Sequence, residues 1–352
     1  MTPPLAGRMN FTQQQQWIAR NCEIGASGTS FFADPPRSVN FVFVGTTGAP
    51  PPTTTCTNAA ANPVSPVPQQ LVVDETPISI EKPFIRIDAA GKYELVTPKP
   101  KVGSSGAQWG HSVDDYYVDS FEGVFVATNA TTVTSINAKL AAGLHVVLAP
   151  GIYSLPEPIR IGRAGSDHQV LLGLGLATLV PTHGGAAIEV KDVPGVRIAG
   201  ILLQAGQTTS KALIAVGGSG SDDGGGGGGG GGSSAANPIL LADVFARVGG
   251  PGVDPVTGLG PAVSTEVMAE VNASNVVLDN VWLWRADVDN GNRVRDCKHS
   301  LVVNGDNVTA YGLAAEHVQS DNVVWNGEGG NVFFYQAELD GGWKNKDRNQ
   351  SN

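Results

Sequence analysis

The sequence predicts an all-β protein built as a right-handed parallel β-helix, and three observations lead there. Gly (46) and Pro (23) make up nearly a fifth of the 352 residues while only 15% are charged, a balance that suits many short strands and tight turns. Four segments, beginning at Val196, Val276, Val308 and Val332, share one template of a three-residue strand, a two-residue corner and a second strand. The last three begin 32 and 24 residues apart, as successive coils of a solenoid do when their side loops differ in length.

Residues 1–130 read as an irregular N-terminal segment that packs on or leads into the solenoid. The pattern there predicts a short helix around Gln13 to Arg20, a strand from Asn40 to Val44 and a Pro/Thr/Ala-rich loop from Gly48 to Pro68. A hairpin follows, with Phe84 to Ile87 and Tyr93 to Val96 flanking the turn-rich Asp88 to Lys92. The β-helix is expected over 131–345. Thr134 or Ser135 can cap a helix through Ile136, Leu140 and Ala141, which Gly143 ends in the left-handed conformation. Two short strands around a Pro-Gly turn then run from His145 to Leu155. The stretch 217–237 contains nine consecutive glycines and too little apolar surface to offset ordering, so it reads as a disordered loop. Without a Gly-Lys-Ser/Thr ending it is not a phosphate cradle.

The template also predicts which side chains face which way. Counting the first Val as position 0, positions 0, 2, 5 and 7 are mostly apolar and point inward, so positions 6 and 8 share the outer face. Position 6 reads Leu202, Trp282, Ala314 and Glu338, and position 8 reads Gln204, Trp284, Glu316 and Asp340. Indole rings beside carboxylates suit a sugar-handling face, because aromatic rings cover the apolar faces of pyranoses while carboxylates bond hydroxyls or exchange protons. Glu316, Glu338 and Asp287 are the catalytic candidates; Trp282, Trp284, Arg285 and His317 are the substrate-binding ones. Glu316 and Glu338 are expected one strand and two residues apart, roughly 8 Å between Cα atoms. Plain solvation of the acids, and an ion pair between Arg285 and Asp287, are the alternatives. For a lyase the sequence offers only Arg285 with Asp279 and Asp287.

The net charge of −10 and the absence of a Lys/Arg cluster exclude a nucleic-acid binder, and no run approaches the about 18 apolar residues of a membrane span. The opening residues Met1 to Gly7 lack the charged start and apolar core of a secretory signal. Cys22, Cys56 and Cys297 have no CxxC spacing, so no metal site or cofactor is expected; Cys22 and Cys56 are a candidate disulfide. Five N-x-S/T sequons, at Asn10, Asn129, Asn272, Asn307 and Asn349, are compatible with a secreted chain.

The segment Leu148-Ala-Pro-Gly-Ile-Tyr is similar to the first-coil signature of pectin-lyase-like β-helices. Val44-Gly-Thr-Thr-Gly-Ala-Pro, Glu81-Lys-Pro-Phe, Leu172-Gly-Leu-Gly-Leu, Leu283-Trp-Arg-Ala-Asp, Val302-Val-Asn-Gly-Asp, Glu316-His and Val324-Trp-Asn-Gly are more specific. Together they resemble large secreted, mostly bacterial proteins related to glycoside hydrolase family 55, the β-1,3-glucanases with two tandem β-helices. Two departures stand out: Asp287 is followed by Val288 where the group has His-Gly, and Val318 replaces an aromatic residue after Glu316-His. The resemblance implies an extracellular or cell-surface location, a polysaccharide partner and a preceding β-helix lobe in the full-length protein. It also implies a Glu as general acid, with an activated water giving inversion.

A glycoside hydrolase on a β-glucan-like polysaccharide is therefore the leading expectation, with Glu316 ahead of Glu338 as proton donor. A non-catalytic glycan-binding or structural β-helix is the second. There is no paired-aspartate metal site on a βαβ framework, which excludes cyclase chemistry.

Overall fold

The computed structural model describes residues 16–25, 40–49, 51, 69–107, 112–218, 232–249, 261–286 and 295–339. The chain divides into two compact units, one of residues 1–80 and 99–115 and one of residues 81–98 and 116–352. Most of the Gly-rich stretch, Cys56, Asp287 and Asp340 lie outside the described residues. Among those residues no helix is long and apolar enough to cross a membrane.

In the first unit β1 (Gln16–Arg20), β2 (Asn40–Val44) and β3 (Gln69–Val73) form a parallel sheet in that order. The helix expected up to Arg20 is thus replaced by a strand: the Gln-rich stretch has helical propensity, but pairing of Gln16 to Arg20 with Asn40 to Val44 overrides it. Phe41 and Phe43 make the small core, their rings stacked at 6.2 Å with Trp17, Ala19 and Val72 packed around them. β4 (Thr76–Ser79) follows. The chain then gives β5 (Phe84–Ile87) and β6 (Tyr93–Pro98) to the second unit and returns with β7 (Lys101–Ser104), antiparallel to β4.

The expected hairpin is present as β5 and β6, and Asp88 Oδ1 accepts from the backbone N–H groups of Ala90 and Lys92 to hold its turn. β8 (Tyr116–Ser120) adds antiparallel to β6. After β9 (Val124–Ala127) comes α1 (Val133–Ala141), which is capped by Thr132 in place of the expected Thr134 or Ser135. The Thr132 hydroxyl accepts from the N–H of Ser135 at 3.2 Å, and Val133, Ile136 and Leu140 are buried. Gly143, at φ +91°, ends the turn as expected.

From there two parallel sheets grow side by side. The nine-stranded one holds β9, β10 (His145–Leu148), β11 (Ile152–Leu155) and the long β13 (Gln169–Pro181); the six-stranded one begins with β12 (Ile159–Ile161). The chain then alternates between them: β14 (Ile188–Val190), β15 (Val196–Gln204), β16 (Ser210–Val216), β17 (Ile239–Val248), β18 (Val263–Val271), β19 (Val276–Arg285), β20 (Arg295–Val303), β21 (Thr309–Glu316), β22 (Val323–Trp325) and β23 (Asn331–Glu338). Odd-numbered strands from β13 on join the larger sheet and even-numbered ones the smaller.

One continuous aliphatic core fills the space between these sheets. Ile239 pairs with Val276, and the neighbouring pairs Arg197 with Leu240 and Val277 with Thr309 carry Val196 and Val308 into the same column. Val332 is the exception. It pairs with Ala310, two residues further along, and is 44% exposed. From β15 to β23 the corner between the two half-strands is a single left-handed residue: Gly200, Asp243, Asn280, Gly312 and Phe334, all with φ between 50° and 71°. Gly, Asp and Asn tolerate that conformation; Phe334 adopts it under strain.

Candidate functional site

The register fixes the outer face. Gln204, Arg247, Trp284, Glu316 and Glu338 occupy equivalent positions on β15, β17, β19, β21 and β23, one beside the next across the sheet. Two residues earlier lies a parallel row of Leu202, Phe245, Trp282, Ala314 and Gln336. The last strand, β23, therefore runs two residues ahead of the expected template, with Gln336 in place of Glu338 and Glu338 in place of Asp340. In consequence Glu316 and Glu338 are direct neighbours, with Cα atoms about one strand spacing (~4.8 Å) apart instead of diagonal partners.

Trp282 and Trp284 project from the same face of β19, and their rings stack at 5.3 Å with 19° between planes. Phe245 meets Trp282 edge-on at 6.4 Å. Trp282 stays 40% exposed and donates its indole N–H to Glu316 Oε2 at 2.9 Å. Glu316 is only 6% exposed, whereas the Glu338 side chain is half exposed. Gln336 donates to Glu338 Oε1 at 3.2 Å.

His317 follows Glu316 in the left-handed conformation, φ +61°, which turns its ring toward β23. Its Nε2 lies 3.2 Å from Glu338 Oε2 and its Nδ1 3.3 Å from the Leu339 carbonyl. Arg285 donates to the His317 carbonyl at 2.9 Å. The structure thus brings six of the seven predicted site residues together on adjacent strands; the seventh, Asp287, lies outside the described residues. Further along the row, Arg247 donates to Gln204 Oε1 at 2.8 Å, and burial lowers the Arg247 pKa.

A second polar cluster, in the same unit, went unread in the sequence. Asp119 on β8, His145 at the start of β10 and His168 just before β13 converge, with His168 Nε2 2.8 Å and His145 Nε2 3.4 Å from Asp119 Oδ2. Burial alone would raise the Asp119 carboxyl, but hydrogen bonds from the two imidazoles outweigh it and hold it well below the usual carboxylate range. Their ligand atoms lie within 4.8 Å of one another, close enough to invite a metal. The donor chemistry does not fit one. Val170 N–H donates to His145 Nδ1, so the ring proton sits on Nε2 and faces Asp119; a metal there would leave two N–H groups opposed. The cluster is a hydrogen-bonded joint between the β5–β6–β8 sheet and the parallel sheet, closed by Tyr117 stacking on His168 at 4.0 Å. The intervals of 26 and 23 residues between its members, each close to the spacing between repeats of the strand template, are the signal that could have revealed it.

Two further buried groups carry no chemistry. Arg197 donates to the carbonyl of Pro238 at 2.5 Å and to Asn237 Oδ1 at 2.7 Å, and burial brings its pKa down to about 10. Burial likewise pushes the Cys297 thiol up to about 12, which makes it a packing residue and not a nucleophile.

A model of the LAM55 pectate lyase-like domain matches residues 124–338. An exo-β-1,3-glucanase from Streptomyces sp. (strain SirexAA-E / ActE) is 34% identical over 334 residues, covering 94% of this chain and 49% of that protein. Among solved structures, sacteLam55A from Streptomyces sp. SirexAA-E matches with a TM-score of 0.76 at 34% identity, over 93% of this chain and 52% of that one. A variant of sacteLam55A in complex with glucose matches at 0.77 and 33% identity, over 94% and 53%. This chain spans about half the length of these relatives.

Proposed function

The chain belongs to the LAM55 pectate lyase-like domain family, and from that premise we propose that it is one lobe of a glycoside hydrolase that cleaves a β-glucan. The observation that carries the reading is the stacked Trp282–Trp284 pair beside the adjacent Glu316 and Glu338, on a chain similar to an exo-β-1,3-glucanase. The indoles offer a platform for the apolar face of a glucose unit, and the two carboxylates supply the acid and base that glycoside cleavage needs. Arg285 and His317 hold this edge in place, and Asp287 is assigned a supporting role.

In this reading the two parallel sheets are faces of a right-handed parallel β-helix over 131–345. Each passage from one sheet to the other and back adds a strand to both, and crossovers between parallel strands are right-handed in about 98% of cases. Residues 1–130 lead into the solenoid. The half-length match to the relatives supports a second β-helix lobe in the full-length protein, which works outside the cell on polysaccharide.

The test is sugar release by the full-length protein from β-1,3-, β-1,4- and α-linked glucans. Release from β-1,3-glucan is expected, and Trp284→Ala should weaken glucan binding by about 1 to 3 kcal/mol through lost stacking. A second reading, glycan binding without turnover, is favoured by the 6% exposure of Glu316. Binding with no release from any of the three glucans would establish it instead.

A further inference from the structure

We propose that Arg247, Gln204 and Phe245 form a further sugar subsite one strand beyond the Trp282–Trp284 platform, so that a bound glucan lies across the strands from the carboxylates toward β15. The proposal rests on the glucan reading above and adds to it the direction of the chain and the residues that hold its next unit.

The outer face of the larger sheet carries two rows. In one, Trp282, Phe245 and Leu202 follow each other from β19 to β17 to β15; in the other, Trp284, Arg247 and Gln204 do. Each step is one strand spacing, ~4.8 Å, comparable to the width of a hexose ring. Trp282, Phe245 and Leu202 all keep part of their surface exposed. Phe245 meets Trp282 edge-on, so the aromatic surface continues from the platform onto β17. A chain lying across these strands meets apolar side chains along one flank and, past Trp284, hydrogen-bonding ones along the other. That pairing suits a pyranose, with its apolar faces and its rim of hydroxyls. In the opposite direction the rows hold Ala314 and Glu316, then Gln336 and Glu338, with no ring. The track therefore leads one way, from β19 to β15.

Arg247 is the group that makes this strip a site. Its Nε donates to Gln204 Oε1 at 2.8 Å, and Gln204 Nε2 donates to the Ala205 carbonyl at 3.3 Å. The guanidinium is thus held by a side chain that is itself buried and anchored. The other N–H donors of that planar fork have no partner among the described residues, where Arg247 also forms no ion pair. Burial lowers its pKa, as befits a cation with no acid near enough to offset its desolvation. Half-buried donors without acceptors are costly, and the hydroxyls of a sugar resting on Phe245 supply the acceptors. Tying β15 to β17 does not account for the Arg247–Gln204 pair. Backbone pairing already joins those strands, from Arg197 with Leu240 to Gln204 with Arg247.

The experiment measures affinity by calorimetry on the full-length protein, with the β-1,3-linked glucose disaccharide and pentasaccharide as probes. Glu316 and Glu338 are both changed to Gln, so that neither sugar is consumed. In this background the pentasaccharide should bind more tightly than the disaccharide. Adding Arg247→Met should weaken pentasaccharide binding about tenfold more than disaccharide binding. Arg247→Lys, which keeps the charge but loses the planar fork, should fall between the two. Phe245→Ala should show the same selective loss at about threefold. Thermal melts accompany each variant, and if Arg247→Met does not fold, Arg247→Lys and Phe245→Ala decide. Equal affinity for the two sugars before these changes, or equal losses on both after them, overturns the subsite while the glucan reading stands. If neither sugar binds this background or the wild type, the glucan reading fails and the subsite with it.

Discussion

In the second unit Val196, Ile239, Val276 and Val308 stand in one column, and the strands are held by apolar side chains repeated from strand to strand. In the first unit the strand joint is polar. Asn21, left-handed at φ +50°, donates to Ser104 Oγ at 2.9 Å and accepts from Thr76 Oγ1 at 2.7 Å, while the Ser79 and Ser104 hydroxyls meet at 2.8 Å. All four residues are buried. An apolar column tolerates small errors of geometry because its attraction has no direction. The polar joint has no such tolerance, since each donor needs its acceptor and an unsatisfied buried group costs about 1 to 3 kcal/mol. The first arrangement can therefore be extended by repetition, whereas the second closes a structure once.

The largest effect is expected where the column is deepest. Leu278 is 1% exposed and sits between Leu241 and Ala310 in the neighbouring column. Leu278→Ala should cost about 2 to 5 kcal/mol, the lost transfer energy plus the cavity left behind. Urea unfolding followed by tryptophan fluorescence would measure it. A loss under about 1 kcal/mol would mean that the interior is loosely filled, and the contrast with the polar joint would weaken.

Asn21→Ala addresses the joint itself. It removes three side-chain hydrogen bonds, the third being the one Arg20 donates to Asn21 Oδ1 at 3.3 Å, leaves the Thr76 and Ser104 hydroxyls to find other partners, and places Ala in a left-handed conformation. The expected cost is about 1 to 3 kcal/mol, confined to the first unit. Hydrogen exchange should speed at Phe41 to Val44 and stay unchanged at Val196 to Leu203. Asn21→Gly, which relieves the backbone strain alone, should recover part of the loss; complete recovery would show that the amide's hydrogen bonds contribute little.

The same difference decides what could be read from sequence. The aliphatic columns were legible because strand alternation repeats Val, Ile and Leu at fixed positions, and Trp282, Trp284 and Glu316 followed from them as the outward remainder. The polar joint was not, because Asn21, Thr76 and Ser104 are separated by 55 and 28 residues with no period. The Asp119–His145–His168 cluster falls between these cases, with intervals near the template spacing but no apolar pattern to draw attention to it. The helix expected up to Arg20 gave way to a strand over Gln16 to Arg20 because local propensity competes poorly with strand pairing. The last strand was misread for a definite reason. Gly330 holds the place of the column valine, and Val332 offered a false match two residues on.

Val332 provides the smallest and sharpest test of that register. If the template starting at Val332 were the correct one, its side chain would lie in the column of Val308, and truncating either residue would cost the same. The structure separates them: Val308 is fully buried in the core cluster, while Val332 is paired with Ala310 and 44% exposed. Val308→Ala removes two buried methyl groups, and at about 0.8 kcal/mol for each plus a cavity term it should cost roughly 2 kcal/mol. Val332→Ala removes surface that is largely hydrated already and should change stability by less than about 0.5 kcal/mol. Urea melts of both variants in the same buffer decide it. Equal losses would return Val332 to the column and move Glu338 back to a diagonal position from Glu316. A difference near fourfold would fix the two carboxylates as direct neighbours on β21 and β23.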